Sequence, residues 1–203
     1  QIMSGATALT VIVLSARQLP REFETRTIYP LLAKPVSRIQ FLLGKLLGVM
    51  LAAAFCYLIF MLIYVIGVIY LKGDIPVVLF LQYIWLQFIM LLVIATLSFW
   101  LSLKLTLDAA ITNSEVLYIS ASVISTMATM IYSSVGALQQ FVLKILIFVL
   151  PQLTLFDLSE KAVHADEWDP VGFGTMAAVS VYGLVYTAIF FCLALLAFRK
   201  RPL

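Results

Sequence analysis

Residues 46–71 read LLGVMLAAAFCYLIFMLIYVIGVIYL, a run that contains no charged side chain. A helix needs about 20 apolar residues to cross the roughly 30 Å hydrocarbon core of a bilayer, so this run is long enough to cross with tilt. The whole chain has the same character: 64% of its residues are hydrophobic, 11% are charged, and the mean hydropathy is +1.10. Soluble domains carry about 25% charged residues. The composition therefore predicts an all-α integral membrane protein built as a helical bundle.

Further apolar runs predict spans at 79–101, 116–135 and 174–198, and residues 1–16 resemble the trailing end of another. The segment 138–156 is just long enough to cross, but it contains Lys144 and Pro151. A lysine at a helix centre costs about 2.5–3.5 kcal/mol on insertion scales, and a proline interrupts the backbone hydrogen bonds of a helix. We therefore predict that 138–156 is a re-entrant or interfacial element.

The distribution of charge predicts the orientation, because basic loops stay in the cytoplasm. The connection 17–45 and the C-terminal Arg199-Lys200-Arg201 are rich in basic residues, whereas 136–173 carries two basic and five acidic ones. We expect the first two regions inside and the connection 136–173, which includes the acidic loop 157–169, outside. If 138–156 crossed the membrane, the acidic loop would lie inside and the basic C-terminus outside. The same count puts Gln1 outside; if the true N-terminus is cytoplasmic, we expect at least one earlier span and six in the intact chain.

The sequence offers no set of residues for catalysis or metal binding. No Asp, Glu or His occurs in the spans from 46 onward, which argues against an ion-coupled carrier. The Gly-x-x-x-x-Gly-Lys-Ser/Thr phosphate loop is absent, so we do not expect the chain to hydrolyse nucleotides. We expect no catalytic residue, no bound metal and no nucleic-acid partner.

Two stripes of small residues are predicted on helix faces. Hydroxyl side chains recur at three- and four-residue steps along 116–135, which favours either helix packing or the lining of a substrate path; they are Ser122, Ser125, Thr126, Thr129 and Ser133. Gly44, Gly48 and Ala52, at four-residue spacing, indicate a second packing face. The sequence leaves the two interpretations of the hydroxyl stripe open.

The connection 17–45 also contains a helical pattern, since Ile28, Leu31 and Leu32 recur at three- and four-residue steps. Pro35 would end that helix, because a residue before proline avoids the α region. Ser37 can then cap a new helix that starts at Arg38. A coupling helix at about 21–34 that docks on a cytosolic ATPase is one interpretation. A loop made basic by membrane topology and by attraction to anionic lipid is the other.

The residues of this connection resemble the cytoplasmic signature of ABC-2-type permeases, the membrane subunits of type V ABC transporters, and in particular the NosY-like permeases. The resemblance is carried by Glu24, Thr27-Ile28, Leu31-Leu32, Lys34-Pro35-Val36-Ser37-Arg38, Phe41-Leu42 and Gly44-Lys45. It implies a non-catalytic subunit that pairs with a second permease, identical or related, and with cytosolic ABC ATPase subunits. ATP and Mg would be bound by those ATPases, and no cofactor by this chain.

The resemblance also implies which residues contact or position the ATPase: Arg21, Glu22, Glu24, Arg26, Thr27, Ile28, Leu31, Lys34, Pro35, Ser37 and Arg38. The implied function is to couple ATP hydrolysis to substrate export or conformational work in a bacterial or archaeal plasma membrane, with the C-terminus in the cytoplasm. The alternative is a membrane anchor or scaffold that transports nothing, transmits force, or recruits an extracytoplasmic partner through the acidic loop.

Overall fold

The computed structural model describes residues 2–24, 37–71, 76–131, 136, 138–140, 151–159, 161 and 170–200, without the side chains of 23, 24 and 125–131. The main elements are α1 (Ile2–Glu24), α2 (Arg38–Tyr70), α3 (Val77–Lys104), α4 (Leu107–Ile131), a 3-10 turn (Leu153–Phe156) and α5 (Phe173–Lys200). The described part of the chain contains no strand. The predicted all-α fold is confirmed.

Four helices are long and apolar enough to cross a membrane, namely α1, α2, α3 and α5. Together with the composition, they identify an integral membrane protein. The helices α2, α3 and α5 contain or overlap the runs predicted at 46–71, 79–101 and 174–198. The helix α4 overlaps the span predicted at 116–135, but the second half of that span lies outside the described side chains. That span stays a prediction.

Local sequence sets the ends of the helices on either side of 25–36. The Ser37 hydroxyl accepts a hydrogen bond from the Gln40 backbone N–H at 3.2 Å, and the Ser37 N–H donates to Gln40 Oε1 at 3.0 Å. This reciprocal pair satisfies two donors that the start of α2 would otherwise leave free. The predicted cap at Ser37 is thus confirmed. The helix α1 passes through Pro20 and ends at Glu24, so residues 21–24 continue α1.

The centre of the bundle is α3, which packs against the other four helices and the 3-10 turn. Between Leu86 and Leu103, only Phe88, Leu92 and Trp100 are not fully buried. The helix α2 buries one side, and its opposite side exposes large apolar residues such as Leu47 and Leu51. Such a surface suits lipid or another apolar helix, because lipid tails are as apolar as leucine.

Close contact between α3 and α5 depends on Gly183. A Cβ atom at that position would lie 2.3 Å from Ile89 Cγ2 and 2.9 Å from two ring atoms of Phe156. Nearer the start of α5, the Gln82 amide donates to the Val171 carbonyl at 2.9 Å and accepts from the Val171 N–H at 3.0 Å. These contacts join α3 to the start of α5 and to the 3-10 turn between Gln82 and Ile89 of α3.

Candidate functional site

One end of the bundle carries most of the described basic side chains and will be called the basic end; it consists of Arg17, Arg21, Arg38, Lys45, Lys104, Arg199 and Lys200. It is formed where α1, α3 and α5 finish and α2 begins. The connection 25–36 joins α1 to α2 at this end. The contacts at the two ends of that connection determine which helices a movement of the connection would displace.

An ion pair between Lys45 and Glu22 joins α1 to α2 across the connection. Their side chains are 25% and 22% exposed, so the pair is mostly shielded from solvent. The Lys45 ammonium also lies 5.8 Å from the centre of the Phe41 ring, within the range of a cation–π contact. Glu22 belongs to the predicted coupling set, whereas Lys45 does not. The signal for this pairing is two opposite charges on either side of the same connection.

Arg38 links the start of α2 to the end of α5. Its Nη1 donates to the carbonyl oxygens of Phe198 at 3.3 Å and Arg199 at 3.1 Å. The guanidinium carbon lies 5.7 Å from the centre of the Phe198 ring, which stacks on Phe41 with the ring centres 5.8 Å apart. The last carbonyls of a helix lack partners within it and favour a cation. Arg38 supplies both the hydrogen bonds and the charge.

The predicted coupling residues fall into three groups. Arg21, Glu22, Ser37 and Arg38 have described side chains, and three of them make the contacts above. Glu24 is described by its backbone at the end of α1. The remaining predictions lie outside the described residues; they are Arg26, Thr27, Ile28, Leu31, Lys34 and Pro35.

A cavity of about 280 Å³ lies between α1, α3, α4 and the 3-10 turn. It is lined by Ser4, Met90, Tyr118, Ser122, Leu153, Thr154 and Asp157. We call it the polar cavity because hydroxyl groups and a carboxylate reach it. Of the predicted hydroxyl stripe, Ser122 lies at this cavity and donates to the Tyr118 carbonyl at 3.2 Å. Ser125, Thr126, Thr129 and Ser133 lie outside the described side chains.

Asp157 was not among the sequence-predicted site residues. It belongs to the connection 136–173, whose predicted position outside the membrane stays a prediction, and in the structure it is half-buried and lines the polar cavity. The preceding Leu153 and Phe156 are buried, and burying them carries the next residue into the bundle. The Asp157 Oδ1 accepts a hydrogen bond from the Ser159 N–H at 2.9 Å. The apolar spacing before Asp157 was the only sequence signal.

A second cavity of about 250 Å³ adjoins the polar cavity and shares Tyr118 and Leu153 with it. We call it the apolar cavity. Most of its wall is aliphatic or aromatic, and Trp100 and Phe190 stack there with ring centres 6.3 Å apart. The bundle therefore contains a carboxylate-bearing space and an apolar space side by side.

Gln87 is a buried polar side chain that these cavities do not explain. It is 0% exposed on α3, one turn before Met90, and neither its amide nitrogen nor its amide oxygen has a partner among the described residues. Such groups are rare in folded proteins, since an unpaired buried amide costs about 1–3 kcal/mol.

The helical bundle with a basic end agrees with the comparison to protein families. A family model described as ABC-2 family transporter protein matches residues 1–203. The chain belongs to the ABC-2 transporter family. It is therefore a permease, the membrane component of an ABC transporter, a kind of component that is generally not catalytic. Comparisons of this ABC-2 permease with curated proteins and with solved structures found no match.

Proposed function

We propose that this ABC-2 permease, a member of the NosY-like subgroup, couples ATP hydrolysis by separate cytosolic ATPase subunits to export of a substrate. The membrane is the plasma membrane of a bacterium or archaeon, and the basic end faces the cytoplasm. The connection 25–36 and the last turn of α1 form the surface that meets the ATPase. ATP and Mg are bound by the ATPase subunits.

The observation that carries this proposal is the attachment of the connection at both of its ends. The Glu22–Lys45 ion pair joins the helices that flank it, and Arg38 joins the start of α2 to the last carbonyls of α5. A displacement of residues 25–36 by a partner would therefore act on three helices together. A loop that only contacts lipid headgroups would need no such links.

A second permease subunit is part of the proposal, as a homodimer or with a related chain. Gly44 and Gly48 lie on α2, and a Cβ atom at either position would meet no other atom within 4 Å. Leu47 and Leu51 are 63% and 71% exposed on the same helix. Small residues in lipid allow close helix contact, so this part of α2 suits a helix from outside the chain.

The interior of the bundle favours transport over the anchor or scaffold alternative. A scaffold needs no internal space, whereas the polar cavity adjoins Ser122. The packing of the 3-10 turn against α3 and α4 supports a re-entrant element within 138–156. Irregular backbone is tolerated at membrane depth where protein or a water-filled cavity covers it.

The test is purification of the full-length permease in mild detergent, followed by mass spectrometry and an ATP hydrolysis assay. We expect a stoichiometric ATPase subunit. We expect Glu22→Lys and Lys45→Glu each to reduce ATP hydrolysis by the purified complex, and the double variant, which restores opposite charges, to recover it. Lys104→Glu, which changes a basic residue at the same end but outside the connection, is the matched control. Absence of an ATPase subunit, or single variants that behave like the control, would refute the proposal.

A further inference from the structure

The polar cavity lies about halfway along the central helix. Met90, which lines it, is 13 residues beyond Val77 in a helix of 28 residues. At 1.5 Å per residue, this is about 20 Å along a helix about 42 Å long. Asp157 thus lines a cavity about halfway along an apolar helix that is long enough to cross a membrane. Ionisable groups at this depth are costly, and they usually face a pathway or a partner of opposite charge.

The carboxylate of Asp157 has no cationic partner in the described part of the chain. Its Oδ1 accepts a hydrogen bond from the Ser159 N–H at 2.9 Å, and no described basic side chain forms an ion pair with it. Tyr118, from α4, lines the same cavity as Asp157. A positive charge in the cavity would complete an ion pair near this aromatic side chain, and aromatic faces attract organic cations.

The apolar cavity gives the ligand a second property. It begins where Tyr118 and Leu153 end the polar cavity, and its wall includes the stacked pair Trp100 and Phe190. A small inorganic cation would leave this space unused. A sugar chain would bring hydroxyl groups that the apolar wall cannot satisfy. An apolar group attached to a cation fits both spaces.

We propose that the two cavities form one binding site for an amphipathic organic cation, with an ammonium group at Asp157 and an aryl or alkyl group beside Trp100. The role of this site as a substrate site rests on the proposed transport function, but the binding itself does not. Tyr118 lines both cavities and contacts the junction of the two parts of the ligand.

The experiment measures binding of 4-phenylbutylammonium to the full-length permease in lipid nanodiscs by isothermal titration calorimetry, with empty nanodiscs subtracted. We expect saturable binding of 4-phenylbutylammonium. Neutral 4-phenylbutanol should bind at least tenfold more weakly. Ethylammonium, which keeps the charge but lacks the aryl group, is also expected to bind at least tenfold more weakly. These two probes test the polar and the apolar cavity separately, without changing the protein.

Variants then test the carboxylate. We expect Asp157→Asn to weaken binding of 4-phenylbutylammonium at least tenfold, and Asp157→Glu to retain most of it. Asp108→Asn, which removes an exposed carboxylate at the start of α4, is the matched control and leaves binding unchanged. If Asp157→Asn fails to fold, the Asp157→Glu variant and the comparison of the three probes still test the cation site. Equal binding of the alcohol, equal binding by Asp157→Asn, or full displacement by sodium chloride would overturn the proposal.

The same sample separates this inference from the proposed function. If 4-phenylbutylammonium binds through Asp157 but leaves ATP hydrolysis of the complex unchanged, the binding site stands and its transport role fails. If an ATPase subunit is coupled to the permease and no charge-dependent binding occurs, the transport function stands and the cation site is refuted.

Discussion

Replacing Gly183 with alanine tests the closest crossing in the bundle. The added methyl group would lie 2.3 Å from Ile89 Cγ2 and 2.9 Å from the Phe156 ring. Carbon atoms pack best at about 3.5–4.0 Å, so the Ile89 methyl must move away by more than about 1 Å and the Phe156 ring by about 0.6 Å or more, unless the helices separate. The Ile89 methyl is attached next to the backbone of a buried helix, which leaves it little freedom to turn away.

The expected cost follows from these distances. Forcing an extra methyl group into a packed core costs about 1–3 kcal/mol, and a clash on two sides belongs at the upper end, about 3 kcal/mol. Alanine gains about 1 kcal/mol over glycine in a helix interior. The Gly183→Ala variant should therefore lose about 2 kcal/mol of the free energy of unfolding. For a chain of this size, this corresponds to a fall in Tm of about 4–8 °C.

Thermal unfolding of the full permease in detergent, followed by intrinsic fluorescence, measures this effect. Gly67→Ala is the matched control, because a Cβ at Gly67 meets no atom within 4 Å. Its Tm should stay the same or rise. Ile89→Leu moves the branch away from Gly183, so the Gly183→Ala/Ile89→Leu double variant should recover part of the loss. If Gly183→Ala unfolds at the same temperature as Gly67→Ala, the close crossing does not exist.

Three other predictions concern single side chains. Gln82→Leu removes both hydrogen bonds to the Val171 backbone and should lower the free energy of unfolding by about 2 kcal/mol; a loss below about 0.5 kcal/mol in denaturant titration would contradict this. Gln87→Leu should leave Tm unchanged or raise it, because its amide has no described partner to lose; a large decrease in Tm would mean that the amide is satisfied. Ser37→Ala should cost about 1 kcal/mol whereas Ser37→Thr retains most of the cap, and identical unfolding curves for the two variants would argue against the capping box.

Much of the fold follows from local sequence. A run such as 46–71 forms an α-helix in lipid, because each backbone N–H and C=O group must be hydrogen-bonded within the segment. The start of α2 was equally local: Ser37 and Gln40 have the spacing of a reciprocal cap, and proline just before them excludes a continuing helix. Features of this kind depend on residues within four positions of each other.

The contacts that shape the candidate sites could not be predicted in this way. Arg38 meets the carbonyl of Phe198, 160 residues away along the chain. The position of Asp157 depends on how far the 3-10 turn enters the bundle, and a count of charges in the loop gives the side of the membrane but not this depth. The need for glycine at 183 arises from a crossing with α3, which no pattern within α5 reveals. All three depend on the relative placement of helices, which hydropathy does not encode.

The attachment of Arg38 to the end of α5 has a mechanical consequence. The helices α3 and α5 are joined with the 3-10 turn at Gly183, and α1 is joined to α2 through Glu22 and Lys45. Arg38 connects these two groups of helices at the basic end, in addition to the packing of α3 against α1 and α2. A displacement of the start of α2 would therefore be transmitted through Arg38 to the last turn of α5, and through α5 to α3 and the 3-10 turn.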